Sequence, residues 1–149
     1  MIYPHTHPPA RPPATQSAGL QMLVILLEIC GWRFRRALLS GRLWLTARAA
    51  GEAMSVTAGR AGRPWLAFAW LLLVPIYIFV LALGPRVTPF DLEAYMRFHF
   101  TKVRAQTRLF GDGYIAAAEA AGRQPNNLRA LIALCPDWRP TAPPPRPAS

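Results

Sequence analysis

The chain has 149 residues, a formal net charge of +10, 52% apolar residues and only 16% charged residues. This length allows one domain of ordinary size. Prolines crowd both ends, five of them within residues 1–19 and six within residues 136–149, which excludes those ends from helices and from a compact core. Because the remaining chain is short and strongly apolar, we expect no sizeable water-soluble core.

The N-terminal arm, residues 1–19, is predicted to be disordered because of its prolines. His5 and His7 lie in this arm, but one pair of histidines supplies too few ligands for a metal site. Cys30 and Cys135 belong to no CxxC or Cys/His spacing, which argues against both a zinc site and a disulfide framework. The sequence therefore predicts no metal and no cofactor.

Residues 20–30, LQMLVILLEIC, form a short apolar run. Eleven helical residues reach only about 16 Å, half the thickness of a bilayer core. Extended to residues 15–34, the run could span a membrane but would carry Glu28 and Arg33. We interpret it as an interfacial or partner-dependent helix with Glu28 facing water, and a second span remains the alternative.

Residues 32–63 contain seven arginines and a single acid, Glu52. Aromatic and leucine side chains are interleaved with them, a composition with affinity for lipid headgroups. We interpret residues 20–63 as an apolar and then Arg-rich interfacial helical region. The predicted contacts to lipid or phosphate in this region are Arg33, Arg35, Arg36 and Arg42.

Residues 65–84, WLAFAWLLLVPIYIFVLALG, contain no charged side chain. Twenty helical residues are about 30 Å long, which matches the hydrocarbon core of a bilayer. Pro75 is tolerated in such a helix, and Arg63 and Arg86 bracket the run. We predict a transmembrane helix within residues 64–84.

Residues 85–139 are predicted to form short amphipathic helices. Thr88 as N-cap and Pro89 at the first helical position open the first helix, and the glycines of residues 111–113 close it. A second covers residues 114–121, and a third starts near Asn126 or Asn127 and stops before residue 136. The tail, residues 140–149, is predicted to be disordered, so the fold class is an all-α membrane protein.

The first of these helices, residues 89–110, has segregated faces. We expect its apolar face to bind another membrane-protein subunit, with its histidine as a packing group rather than a proton relay. The residues of that face are Leu92, Met96, His99, Val103 and Phe110. The opposite face adds three contacts to lipid or phosphate, Arg97, Arg104 and Arg108.

No catalytic arrangement is present in the sequence: there is no Ser/His/Asp set, phosphate-binding glycine loop or paired carboxylate cluster. We expect no enzymatic activity and no catalytic residue. Residues 31–64 carry seven basic residues and one acid, against five and two in residues 85–110. The positive-inside rule then places the block from Arg33 to Arg63 in the cytoplasm.

The order of these parts resembles small inner-membrane subunits of type IVB (Dot/Icm-like) secretion and conjugation systems. An Arg/Trp-rich lead-in at residues 32–44 precedes the apolar span. An aromatic-basic run, Tyr95-Met96-Arg97-Phe98-His99-Phe100, follows it and continues to residues 108–111. Members of that family have two adjacent spans, whereas residues 85–92 are too polar for a second one.

The resemblance implies a non-enzymatic subunit of a DNA- or protein-transfer assembly in the bacterial inner membrane. Its expected partners are the membrane, anionic lipid headgroups and other membrane-protein subunits, without direct contact to nucleic acid. The alternative is a membrane-surface protein that binds anionic lipid or nucleic acid through its arginines.

Overall fold

The computed structural model describes residues 15–57 and 64–135 as a bundle of helices around one central helix. These ranges contain seven α-helices, one 3₁₀ segment and no β-strand, which confirms the all-helical prediction. The helices are α1 (Thr15–Ile29), α2 (Phe34–Leu39), α3 (Leu43–Thr57), α4 (Trp70–Val87), α5 (Leu92–Lys102), α6 (Arg104–Ala120) and α7 (Asn126–Ala133), and the 3₁₀ segment is Pro64–Ala69.

Helix α1 is the centre of the fold. Met22, Ile25, Leu26 and Leu27 have no exposed surface, because the helix is apolar on almost every side and other helices surround it. Alanines of α3 allow close approach to α1, and α4, α6 and α7 cover the rest. The expectation that α1 lies at an interface with one side in water is therefore wrong, and α1 is too short to qualify as a second span: the partner that α1 needs is this same chain.

The C-terminal end of α1 reverses the chain through two residues in the left-handed region, Gly31 at φ 66° and Trp32 at φ 61°. The backbone N–H of Trp32 donates to the carbonyl of Leu27 at 2.7 Å, as in a Schellman motif. A tryptophan in this conformation is strained. Its buried ring stacks on Phe100 with a centroid distance of 6.1 Å, which offsets that cost and joins α1 to α5.

The helices after residue 87 differ from the prediction at their ends. Thr88 is the C-cap of α4 and donates its hydroxyl to the carbonyl of Gly84 at 3.0 Å. Asp91 is the N-cap of α5, since its carboxylate accepts the N–H of Ala94 at 3.0 Å. The predicted helix 89–110 is broken at Val103, and α6 continues through the glycines at 111 and 113 instead of ending there. Helix α7 lies where it was predicted.

All four glutamates of the chain join separate parts of the fold. Glu52 of α3 accepts the backbone N–H groups of residues 127 and 128 at 3.2 and 2.9 Å, so it caps the first turn of α7. Glu93 accepts the N–H of residue 34 at 2.8 Å and caps α2 in the same way. Glu119 pairs with Arg129 on the surface.

Glu28 is the fourth of these glutamates, and its side chain is buried. It forms an ion pair with Arg104 of α6. The expectation that Glu28 faces water is therefore wrong, because α1 has no water-facing side at that position. The histidines at 5 and 7 lie outside the described residues, as do residues 1–14 and 136–149 as a whole. Residues 15–19, which were predicted to belong to the disordered arm, instead form the first turns of α1, with Ala18 buried in the core.

Candidate membrane-facing and ligand-binding surfaces

Helix α4 is the one helix of the described residues that is long and apolar enough to cross a membrane. Its 18 residues correspond to about 27 Å of helix. The helix is continuous through Pro75 and Pro85. Compared with the predicted span at residues 64–84, it starts later, because residues 64–69 form the 3₁₀ segment, and it ends later, with Arg86 in its last turn.

Helix α4 has two unlike sides. A narrow stripe of Val74, Tyr77 and Leu81 is buried against the bundle. The hydroxyl of Tyr77 donates to the carbonyl of Gly19 in α1 at 2.6 Å, so the polar tip is satisfied inside the protein. Trp70 and Leu73 are half-buried beside this stripe. The exposed side of the helix is called the outer face of α4; its large apolar side chains are Leu71, Leu72, Ile76, Ile78, Phe79, Val80, Leu83 and Val87.

One of the arginines predicted to bind lipid in the N-terminal half, Arg35, lies beside the C-terminal end of α4. Helix α2 packs there through Phe34 and Ala37, with Arg35 and Arg36 exposed beside them. Arg33 is also exposed, and Arg42 is half-buried. A groove with a cavity of about 630 Å³ separates α2 from the last turns of α4. Its lining residues are Phe34, Arg35, Leu38, Leu39, Leu81, Ala82, Pro85, Arg86 and Glu93.

The five residues predicted to bind a partner are not brought together on one outer surface. Leu92 and Met96 pack against the core around α1, and Phe110 packs against a second part of that core. Val103 is half-buried at the break between α5 and α6, and His99 is exposed and stacks on a neighbouring tyrosine ring. Binding of another subunit by these residues stays a prediction, and the intramolecular packing accounts for most of their apolar surface.

The three arginines predicted on the opposite face are also separated. Arg97 is exposed on α5. Arg104 pairs with the buried Glu28, and Arg108 is half-buried on α6. Because the helix is broken at Val103, these three arginines do not share one face, as a single helix over residues 89–110 would predict.

Sequence reasoning did not assign a site to the exposed aromatic side of α5. Phe90, Tyr95 and Phe98 are each more than half exposed. The Phe90 and Tyr95 rings meet edge to face at 5.5 Å, and the Lys102 ammonium lies 3.8 Å from the Phe98 centroid. The sequence feature that indicates this surface is the aromatic-basic run of residues 95–100. Its aromatic residues have a different spacing from the residues that define the predicted partner-binding face.

No protein family, curated protein or solved structure matches this chain. Within residues 15–57 and 64–135, no group of three or more His, Cys, Asp and Glu residues is placed to hold a metal ion. The surfaces that remain as candidate sites are the outer face of α4, the groove beside α2 and the aromatic side of α5.

Proposed function

We propose that this protein is a small non-enzymatic subunit of a bacterial inner-membrane assembly, anchored by α4. The observation that carries the proposal is the outer face of α4, where the large apolar side chains between residues 71 and 83 are mostly exposed on a helix of 18 residues. Contiguous apolar patches of this kind mark membrane or protein contacts, because water solvates them poorly. A helix with one buried stripe and one wide apolar face suits a position between protein and lipid.

The type of assembly rests on the resemblance to type IVB secretion and conjugation subunits. Part of the aromatic-basic run that carries this resemblance lies on the exposed side of α5, where Tyr95, Arg97 and Phe98 are accessible to another protein. Aromatic residues and arginine are enriched at protein interfaces and at their energetic centres. We assign docking of other subunits to this side of α5, in a secretion or conjugative DNA-transfer apparatus.

Phe79→Arg tests the anchor. Phe79 lies near the middle of α4 and is 63% exposed, so the variant should fold while its arginine disfavours burial in lipid by about 2.5–3.5 kcal/mol. Ala116→Arg on the exposed side of α6 adds the same charge elsewhere and serves as the control. Alkaline carbonate extraction of cell membranes should release the Phe79→Arg protein and retain the control. Equal retention of both would contradict an anchor made by α4.

A mild-detergent pull-down of the tagged protein tests the assembly role. Mass spectrometry should identify secretion or conjugation components with the wild type, and these should be lost with a Tyr95→Ala and Phe98→Ala double variant. An Ile78→Ala variant, which removes an exposed apolar side chain from α4 instead, should keep them. Recovery of the wild-type protein without such components would reject the subunit role and leave the membrane anchor standing.

A membrane-surface protein that acts through its arginines is the second candidate function. The contacts of the acidic side chains favour it, since all four glutamates already have partners within the protein while Arg35 and Arg36 stay exposed. Charge-driven binding weakens steeply between low and physiological salt, whereas binding through α4 or through the aromatic side of α5 does not.

A further inference from the structure

Helix α2 and the last turns of α4 enclose a groove with an apolar floor. Phe34 and Leu38 of α2 form one wall, and Leu81, Ala82 and Pro85 of α4 form the other. The cavity of about 630 Å³ lies within the usual range for small-molecule pockets, about 300–1,000 Å³. Leu81 is buried, Ala82 is half-buried and Pro85 is exposed, so the α4 wall reaches from the bundle to the exposed side of the same helix.

Two arginines, Arg35 and Arg86, line this groove together with its apolar side chains. Arg35 and Leu39 are four residues apart on α2, which places them on the same side of the helix, and both line the groove. Arg86 lines it from the last turn of α4. A second hollow of about 330 Å³ shares Arg35 and Leu39 with the groove and adds Arg33 and Arg36.

The positive charge of the rim is not balanced inside the protein. Glu93 is the one acid that lines the groove, and its carboxylate already accepts the N–H of Phe34 at 2.8 Å and lies 3.8 Å from Arg33. Among the described residues, no acidic side chain pairs with Arg35 or with Arg86. Arg86 donates one N–H to the carbonyl of Ala82, which leaves four of its five donors for another acceptor.

We propose that this groove binds one anionic phospholipid, with the phosphate on Arg35 and Arg86 and one acyl chain along Leu38 and Leu39. This rests on the proposed membrane position of α4, because that position puts the end of α4 at the level of the headgroups. Guanidinium groups bind phosphate oxygens in a bidentate geometry. An apolar floor directly below them matches a lipid, which carries its charge and its hydrocarbon on one molecule.

The test uses the full-length chain in phosphatidylcholine bilayers with spin-labelled phosphatidylglycerol or phosphatidylcholine as the probe. Electron spin resonance measures the fraction of each probe that the protein immobilises. The wild type should select phosphatidylglycerol, and Arg35→Gln with Arg86→Gln should lower that selectivity roughly thirtyfold, since each basic residue near a membrane surface contributes about 1 kcal/mol. Arg123→Gln with Arg129→Gln removes the same charge at and just before α7, away from the groove, and should keep the selectivity.

Ala82→Phe keeps every charge and fills the floor of the groove, and it should also reduce immobilisation of phosphatidylglycerol. Equal loss in the two charge variants would show general attraction to anionic lipid and overturn the proposal. Full selectivity in Ala82→Phe would indicate a site for phosphate alone and would overturn it as well. Membrane insertion is checked separately by flotation of the same vesicles. Failure to float contradicts the anchor, whereas flotation without selectivity contradicts only the lipid site.

Discussion

Two strongly apolar helices of this chain have opposite surroundings. Helix α1 has 15 residues, and its apolar side chains from Met22 to Leu27 are almost completely enclosed by the other helices. Helix α4 has 18 residues and keeps only a narrow stripe against the bundle. Both are nearly free of charge, α1 carrying Glu28 alone and α4 carrying Arg86 in its last turn.

The difference shows that apolar content does not decide where a helix lies. Helix α1 is too short to cross a bilayer and is covered by α3, α4, α6 and α7, whereas nothing among the described residues covers the outer face of α4. A helix that is apolar on all sides is buried in a core or in a membrane. This chain contains one helix suited to each.

The largest expected effect is a difference in the free energy of unfolding between a variant of α1 and a variant of α4. Leu26 of α1 is completely buried, so Leu26→Ala should lower the free energy of unfolding by about 2–5 kcal/mol. Leu72 of α4 is 70% exposed, and Leu72→Ala should change it by less than about 0.5 kcal/mol. Urea denaturation in mild detergent measures both. Similar losses in the two variants would mean that α1 and α4 have equivalent surroundings.

Removal of the buried carboxylate of α1 should have an intermediate effect on the free energy of unfolding. Glu28→Gln removes the carboxylate that pairs with Arg104. The side chain of Arg104 is 42% exposed and can regain water, so we expect a loss of about 1–3 kcal/mol, below the cost for a fully buried pair. Glu119→Gln breaks a surface pair with Arg129 and should cost about 0–1 kcal/mol in the same denaturation experiment. An equal cost for the two would place Glu28 at the surface.

The smallest effect concerns the hydrogen bond that joins the two helices. Tyr77→Phe removes the hydroxyl that donates to the carbonyl of Gly19, and it should lower the free energy of unfolding by about 0.5–1.5 kcal/mol. The ring and its buried packing are kept, so insertion of α4 into vesicles should not change. Reduced insertion without a loss of stability would show that this hydroxyl serves the membrane contact rather than the packing of α1 on α4.

The sequence predicted the elements whose signals are local. The apolar run of α4, the Asn-Asn start of α7 and the all-helical fold follow from composition and spacing. The surroundings of α1 do not follow, because a run that is apolar on all sides has no periodicity to indicate what covers it. The alanines of α3 that cover α1 are only weakly apolar, and the sequence alone predicts them to belong to the Arg-rich interfacial region.

The ends of α5 and α6 were missed because two local signals competed. Thr88 and Asp91 are both good N-caps three residues apart, and Thr88 is used by the end of α4 instead. The glycines at 111 and 113 cost a helix about 1 kcal/mol each relative to alanine, yet α6 continues through them, with Gly111 buried against the bundle. Tertiary packing therefore outweighed the low helix propensity of these glycines. Because the helix ends differ from the prediction, the residues of the predicted partner-binding face no longer share one face.

The position of α1 also has a consequence for synthesis of the chain. Ser17 in α1 and Tyr114 in α6 share a hydrogen bond across 97 residues, so part of the cover of α1 is translated long after α1 itself. At about 5–20 residues per second, a ribosome needs roughly 5–20 s to supply it. During that time the apolar surface of α1 lacks the cover that α6 and α7 later provide, and exposed apolar surface of this kind favours aggregation until the rest of the chain is made.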